Sequence, residues 1–230
     1  MAGHSLKLLN SPCPNSHYQL KEKFKLQYTN KIFLPSPIER DIAYTQVISS
    51  RQSNRTFTAP LELTELSTLL WDVLKIKKID VDVNGTVIWN HRGAPSAGGL
   101  SSIETFIVNI AGHKDSIYYY NPYDHTLEEL DISQDNVQNL VNTANNLMDA
   151  SKATLFVYAS DTENLFLKYQ NAESLLWRDV GAIYALANLT CESLQLNSCA
   201  LGLTFHSLLN EVLGLEEMFF GVGGQVFGHK

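Results

Sequence analysis

Apolar positions along this chain fall into stretches whose spacing separates helices from strands. Between residues 61 and 74, Leu63, Leu66, Leu69, Leu70, Val73 and Leu74 recur every three or four residues, which predicts a helix. Thr58 or Thr64 offers a hydroxyl to cap it. A narrower stripe, Val137, Leu140, Val141, Ala144 and Leu147, predicts a more polar helix over 136–148. The longest helical pattern spans 175–196, with Leu176, Val180, Ile183, Tyr184, Ala187 and Leu194 on one side. Its small residues, Gly181, Ala182, Ala185 and Ala187, leave room for another helix to pack close. Shorter helices are predicted over 42–50 and 205–213.

The remaining apolar runs have strand composition. Residues 103–110 and 117–120 read as two strands split by a turn at Gly112-His113-Lys114-Asp115. Residues 153–159 and 218–222 read as two more. Tyr118, Tyr119, Tyr120 and Tyr123 are expected to alternate across their strand, and 75–82 to be a charged loop. Strands mostly separated by helices give an α+β or α/β domain. Residues 1–44 are polar and punctuated by Pro12, Pro14, Pro35 and Pro37, so they read as an N-terminal extension to a domain over 45–230. Arms of this kind often cover a partner subunit.

Composition narrows the function classes. The 230 residues suffice for one domain with a core, and 44% hydrophobic with 18% charged residues is an ordinary globular balance. A net charge of −7 argues against a duplex nucleic-acid binder, which needs a basic face. Three cysteines, Cys13, Cys191 and Cys199, do not make a disulfide framework, and the last two read as small buried hydrophobes. No Cys or His spacing suggests a metal site. No secretory or membrane-spanning run is seen, which makes the cytoplasm the default location.

Two polar stretches carry candidate chemistry. In Arg51-Gln52-Ser53-Asn54-Arg55-Thr56-Phe57, two arginines four apart with a serine between them can converge on one phosphate. A solvated charged turn would look the same. In Arg92-Gly93-Ala94-Pro95-Ser96-Ala97-Gly98-Gly99-Leu100, the lack of bulky side chains lets the backbone approach a flat ligand. An ordinary tight turn is the alternative. His91 and His206 have no identifiable carboxylate partner and read as structural.

In this order, with the Leu-rich helix between them, the two stretches resemble the nitroreductase-like flavoproteins. The closer resemblance is to their SagB/ThcOx-type branch, the azoline dehydrogenases of ribosomal peptide biosynthesis. It runs from about Val47 to the C-terminus, through Tyr118-Tyr119-Tyr120-Asn121-Pro122, His125-Thr126-Leu127-Glu128-Glu129-Leu130 and Ala200-Leu201-Gly202-Leu203. Gly98-Gly99-Leu100 matches that branch, whereas nitroreductases proper tend to carry an Asn shortly after Pro-Ser.

The resemblance implies an α+β fold, a central mixed sheet flanked by helices in an intertwined homodimer. It implies FMN held by Arg51, Gln52, Ser53 and Arg55, with Pro95, Ser96, Ala97 and Gly98 against the ring. Gly223 and Lys230 would lie near the phosphate. Lys168 and Tyr169 match a Lys-Tyr pair implicated in substrate deprotonation, although the residues after them, Gln170 to Ser174, lack the family's Gly-x-Arg. The implied activity is oxidation of an azoline or a Cα–Cβ bond in a peptide-derived substrate, with hydride transfer to FMN and reoxidation by oxygen. A cyclodehydratase is the partner this implies. An NAD(P)H-dependent nitro- or quinone reductase on the same fold, or a degenerate scaffold subunit, are the alternatives.

Overall fold

The computed structural model describes residues 10–213 and 219–230. In chain order its elements are β1 (Cys13–Pro14), β2 (Asn30–Phe33), α1 (Tyr44–Ser50), α2 (Leu63–Val73), β3 (Lys78–Val81), β4 (Val87–His91), β5 (Ile103–Val108), β6 (Ile117–Asn121) and β7 (Thr126–Glu129). They continue with α3 (Gln134–Asn145), β8 (Thr154–Asp161), α4 (Thr162–Lys168), β9 (Tyr169–Gln170), α5 (Glu173–Ser193), β10 (Asn197–Leu201), α6 (His206–Leu213) and β11 (Phe219–Gly228). Met218, expected to open the last strand, lies outside the described residues.

Seven strands form one sheet in the order β10-β11-β8-β5-β6-β7-β2, every ladder antiparallel. Both faces are covered, so the central strands β5 and β8 are buried almost throughout. Alternation divides their side chains. Ile103, Ile107, Tyr118, Tyr120, Phe156 and Tyr158 face α2 and α5, whereas Phe106, Val108, Ile117, Tyr119, Leu155 and Val157 face α3 and α6. Tyr118, Tyr119 and Tyr120 thus alternate as expected, whereas Tyr123 lies past the end of β6, in the turn to β7. In α5, Leu176, Val180, Ile183 and Ala187 form the buried stripe. Cys191 and Cys199 are buried free thiols.

Two expectations need correction. The segment 75–82 is not only a loop: β3 and β4 pair there as a hairpin outside the main sheet. It escapes the pattern because its side chains, Val83 and Ile79 among them, are exposed and bury no stripe. Helix α2 is capped by Glu62 rather than by Thr58 or Thr64, with the Glu65 carboxylate accepting the Glu62 amide at 2.9 Å. Thr64 lies inside the helix, where its carbonyl accepts the Thr68 hydroxyl.

The described part of the N-terminal segment lies against its own chain. Strand β1 pairs with β9 and β2 with β7. Between them Lys21 exchanges backbone bonds with the Asn164 side chain. Phe24 packs edge-on against Phe219, and Lys23 pairs with the buried Glu104 at 2.6 Å.

A buried histidine fastens α2 to the β6–β7 turn. His125 Nε2 lies 2.9 Å from Ser67 Oγ, and Nδ1 lies 2.9 Å from the Tyr120 hydroxyl. Burial, aided by the nearby Lys75 ammonium, pushes its pKa down to about 4. In the unfolded chain the ring protonates near 6.5. Its contribution to stability is therefore complete above about pH 6.5 and is lost as pH falls towards 4. Urea unfolding at pH 7 and pH 4.5 is expected to show a smaller loss of stability in His125→Asn than in the unchanged protein. Equal losses would show that the ring does not titrate differently on folding.

Candidate functional site

The glycine-rich turn is held from several sides. Gly93 passes so close to the Asp72 carbonyl that a side chain could not fit, and the Ala94 amide donates to the Val73 carbonyl at 2.8 Å, anchoring the turn on α2. Ser96 is extended, and its Oγ accepts the Ser101 amide at 2.8 Å, closing the loop. Ala97 to Gly99 make a single tight helical turn in which Gly98 takes φ of +59°. Asp179 accepts the Ala97 amide with both carboxylate oxygens, at 2.9 and 3.1 Å.

Lys168 and Tyr169 close over this turn. Lys168 ends α4, and its Nζ donates to the Gly98 carbonyl at 2.9 Å. The Tyr169 hydroxyl stands 2.5 Å from where a Cβ on Gly98 would be. The N-terminal segment braces the pair. The Asn15 amide donates to the Lys168 carbonyl, the Asn15 side chain to the Leu167 carbonyl, and the Tyr18 ring lies 5.7 Å from Lys168 Nζ.

Burial sets the electrostatics here. It lowers the Lys168 pKa below the ordinary amine value. It raises that of Tyr169, assisted by Tyr18 and Asp179. It also raises Asp179, against the pull of the Ala97 amide and Arg92. Arg92 is 5% exposed; its Nη1 donates to the Ile103 carbonyl, while Nε and Nη2 have no partner among the described residues.

The arginine stretch lies elsewhere. It crosses the ends of β10 and β11: the Asn54 amide donates to the Ser198 carbonyl, and Asn197 Nδ2 to the Thr56 carbonyl. Thr58 then meets the C-terminus, its amide on the His229 carbonyl and its hydroxyl on the Lys230 carbonyl at 2.7 Å. Arg51, Gln52, Ser53 and Arg55 are exposed, and no hydrogen bond or ion pair engages their side chains among the described residues. Exposed guanidinium donors of this kind can take an anion such as a phosphate.

The candidates therefore form two groups. Pro95 to Gly98, Lys168 and Tyr169 meet at the Asp179 level of α5. The backbone of the arginine stretch runs beside β10, bonded to Ser198, whose hydroxyl donates to Asn188 of α5 at 2.8 Å. Nine residues of helix separate those levels, roughly 13 Å. Gly223 joins neither group. It sits within β11, where a Cβ would collide with the Tyr184 hydroxyl. His206 takes the Gly221 amide on Nδ1 and stacks on Phe220, in a small apolar cleft with Phe166 and Trp177. His91 is exposed on β4.

Sequence reasoning missed Asp179, Arg92 and Tyr18. Asp179 left a signal, a lone carboxylate between Leu176, Val180 and Ile183 on an otherwise apolar stripe. Tyr18 left none, because only the fold of the N-terminal segment brings it to Lys168.

The sequence model of the Nitroreductase family matches residues 48–229. No curated protein sequence matches the chain. Among solved structures, a protein provisionally assigned as a nitroreductase from Ralstonia eutropha JMP134 is similar at a TM-score of 0.62 and 20% identity, over 93% of this chain and 98% of that one. One so assigned from Anabaena variabilis gives 0.71 and 21%, over 94% of this chain and 45% of that one, so this chain spans less than half of it. The Escherichia coli microcin synthetase McbBCD complex, with truncated pro-MccB17 bound, gives 0.59 and 20%, over 83% and 73%. At this identity the structural likenesses establish the fold.

Gly98→Ala is expected to cost about 1–3 kcal/mol, because alanine is strained at this φ and meets the tyrosine hydroxyl. Tyr169→Phe in the Gly98→Ala background should recover part of that loss in thermal denaturation. Strictly additive effects would show that the hydroxyl does not press on the turn.

Proposed function

This chain belongs to the nitroreductase family and is an oxidoreductase of that fold, and from that premise we propose that it is an FMN-dependent dehydrogenase oxidising azoline rings, or a related Cα–Cβ bond, in a peptide-derived substrate. The observation that carries the reading is the Lys168–Tyr169 pair seated on the Gly98 carbonyl. A reductase that merely relays electrons has no need of a base there, whereas dehydrogenation must remove a carbon-bound proton. FMN, when bound, supplies the hydride acceptor.

The chain's own residues supply the rest. Lys168, lowered in pKa by burial and without a carboxylate partner among the described residues, takes the proton at Nζ. Tyr169 orients that amine or relays its proton. The turn, fixed by Asp179 and Ser96, offers a rigid backbone against which a flat ring can lie. Arg51, Ser53, Arg55 and Lys230 hold the phosphate, with Gln52 beside them.

That the turn packs at the Asp179 level of α5 and the arginine stretch beside Ser198 and Asn188 supports a cofactor bridging two copies of the chain, one giving the phosphate site and the other the turn. Gly181 and Ala185 of α5 are exposed with open space beside Gly181, a face free for a second copy. The McbBCD likeness supports a peptide substrate and a biosynthetic partner such as a cyclodehydratase. The likeness to proteins assigned as nitroreductases favours a second reading, NAD(P)H-dependent reduction of a nitro or quinone compound.

The purified protein is expected to be yellow, and Arg51→Ala with Arg55→Ala to lose the flavin absorbance without unfolding. Lys168→Ala should keep the flavin and lose azoline oxidation by about 10² to 10⁴. Full turnover in Lys168→Ala would make the pair structural, and rapid NAD(P)H oxidation with a nitroaromatic acceptor, azolines untouched, would favour the second reading.

Light scattering is expected to report a dimer, and a flavin-loaded monomer would contradict the bridging arrangement.

A further inference from the structure

Pro12 and Pro14 keep the start of the N-terminal segment out of any helix, and the chain there runs extended as β1. Its register sets Cys13 against Gln170 and Pro14 against Tyr169, which brings the following residues to the end of α4. Asn15 takes two carbonyls there, that of Lys168 through its amide at 2.9 Å and that of Leu167 through its side chain at 2.7 Å. Five residues on, Leu20 is buried in the core, and Lys21 exchanges backbone bonds with the Asn164 side chain. Tyr18 is held between these two anchors.

The Tyr18 ring does not fill the core, since it is 44% exposed. What it covers is Lys168, whose Nζ stands over the ring face, 5.7 Å from its centre. At that range the negative face of an aromatic ring attracts an ammonium. Lys168 Nζ thus has two fixed neighbours: the Gly98 carbonyl takes one N–H at 2.9 Å, and the ring covers another side. Both favour the protonated amine, whereas burial pulls its pKa down. The other titratable and charged groups around the pair are Tyr169 on β9, Asp179 on α5 and Arg92 at the start of the turn. None of these bonds to Lys168 Nζ, whose described acceptor is the Gly98 carbonyl.

We propose that Tyr18 is a positioning residue of the redox site: its ring face and the Gly98 carbonyl hold Lys168 Nζ between them, steady its proton, and leave the remaining side of the amine to the substrate. This rests on reading Lys168 as the base. Tyr18 precedes the residues matched by the family's sequence model, so the contact belongs to this chain's own N-terminal segment.

The test uses the full-length protein and reads Lys168 directly. Trace labelling with acetic anhydride across pH, followed by mass spectrometry of the peptide carrying Lys168, follows the titration of that amine without flavin or substrate. Tyr18→Leu keeps an apolar cover over the amine and removes the ring face. It should lower the titration of Lys168 by about half a pH unit, the worth of a partly exposed cation–π contact, at an unchanged melting temperature. Tyr18→Phe keeps the face, loses the hydroxyl, and should restore the titration. In flavin-loaded protein the acid limb of kcat/KM for azoline oxidation should move down in pH by the same amount in Tyr18→Leu, because the base acts only when deprotonated. An unchanged or raised titration in Tyr18→Leu would overturn the proposal, as would a Tyr18→Phe that behaves like Tyr18→Leu. In either case the redox reading still stands if Lys168→Ala loses oxidation. A lowered titration with no matching move of the acid limb would uphold the hold of Tyr18 on Lys168 and sink the reading of Lys168 as the base.

Discussion

The close approach of Lys168 and Tyr169 to the backbone of Gly98 is the contact around which the candidate site is organised. It requires a residue without a Cβ, because the Tyr169 hydroxyl fills the position that atom would take. It also requires a left-handed backbone, which glycine adopts at little cost. Everything that fixes the turn acts on this contact. Asp179 holds the Ala97 amide, Ser96 closes the loop onto Ser101, and Ala94 ties it to α2. Asn15 and Tyr18 brace the lysine from the other side.

The sheet makes this precision possible. With helices on both faces, β5 and β8 cannot slip by one residue without driving Phe106, Val157 and their neighbours into the opposite layer. The turn leads directly into β5, and α4 leads directly out of β8, so the register of that one ladder places Lys168 against Gly98. A buried carboxylate and a buried guanidinium, Asp179 and Arg92, lie behind the turn and would be costly to leave there without a role in holding it.

The N-terminal segment changes the picture of where the site ends. Its prolines and polar residues suggest an arm reaching outwards, yet its described part adds strands at two edges and roofs a cavity of its own chain. That segment precedes most of the region matched by the family's sequence model.

Helices with strong stripes, such as α2, α3 and α5, were legible in the sequence because burial of one face imposes a three- to four-residue period. Strands β5, β6 and β8 were legible because both their faces are apolar. The hairpin β3–β4, the edge strand β2 and the four-residue strand β7 were not, since short or exposed strands leave no such period. The order of the Arg51–Arg55 and Pro95–Gly98 stretches carried the resemblance to the family. Only the tertiary structure decided that Lys168 meets Gly98, that Gly223 is buried beneath Tyr184, and that the arginine stretch runs beside β10. Those relations join residues some 40 to 140 positions apart in sequence, and no local pattern carries them.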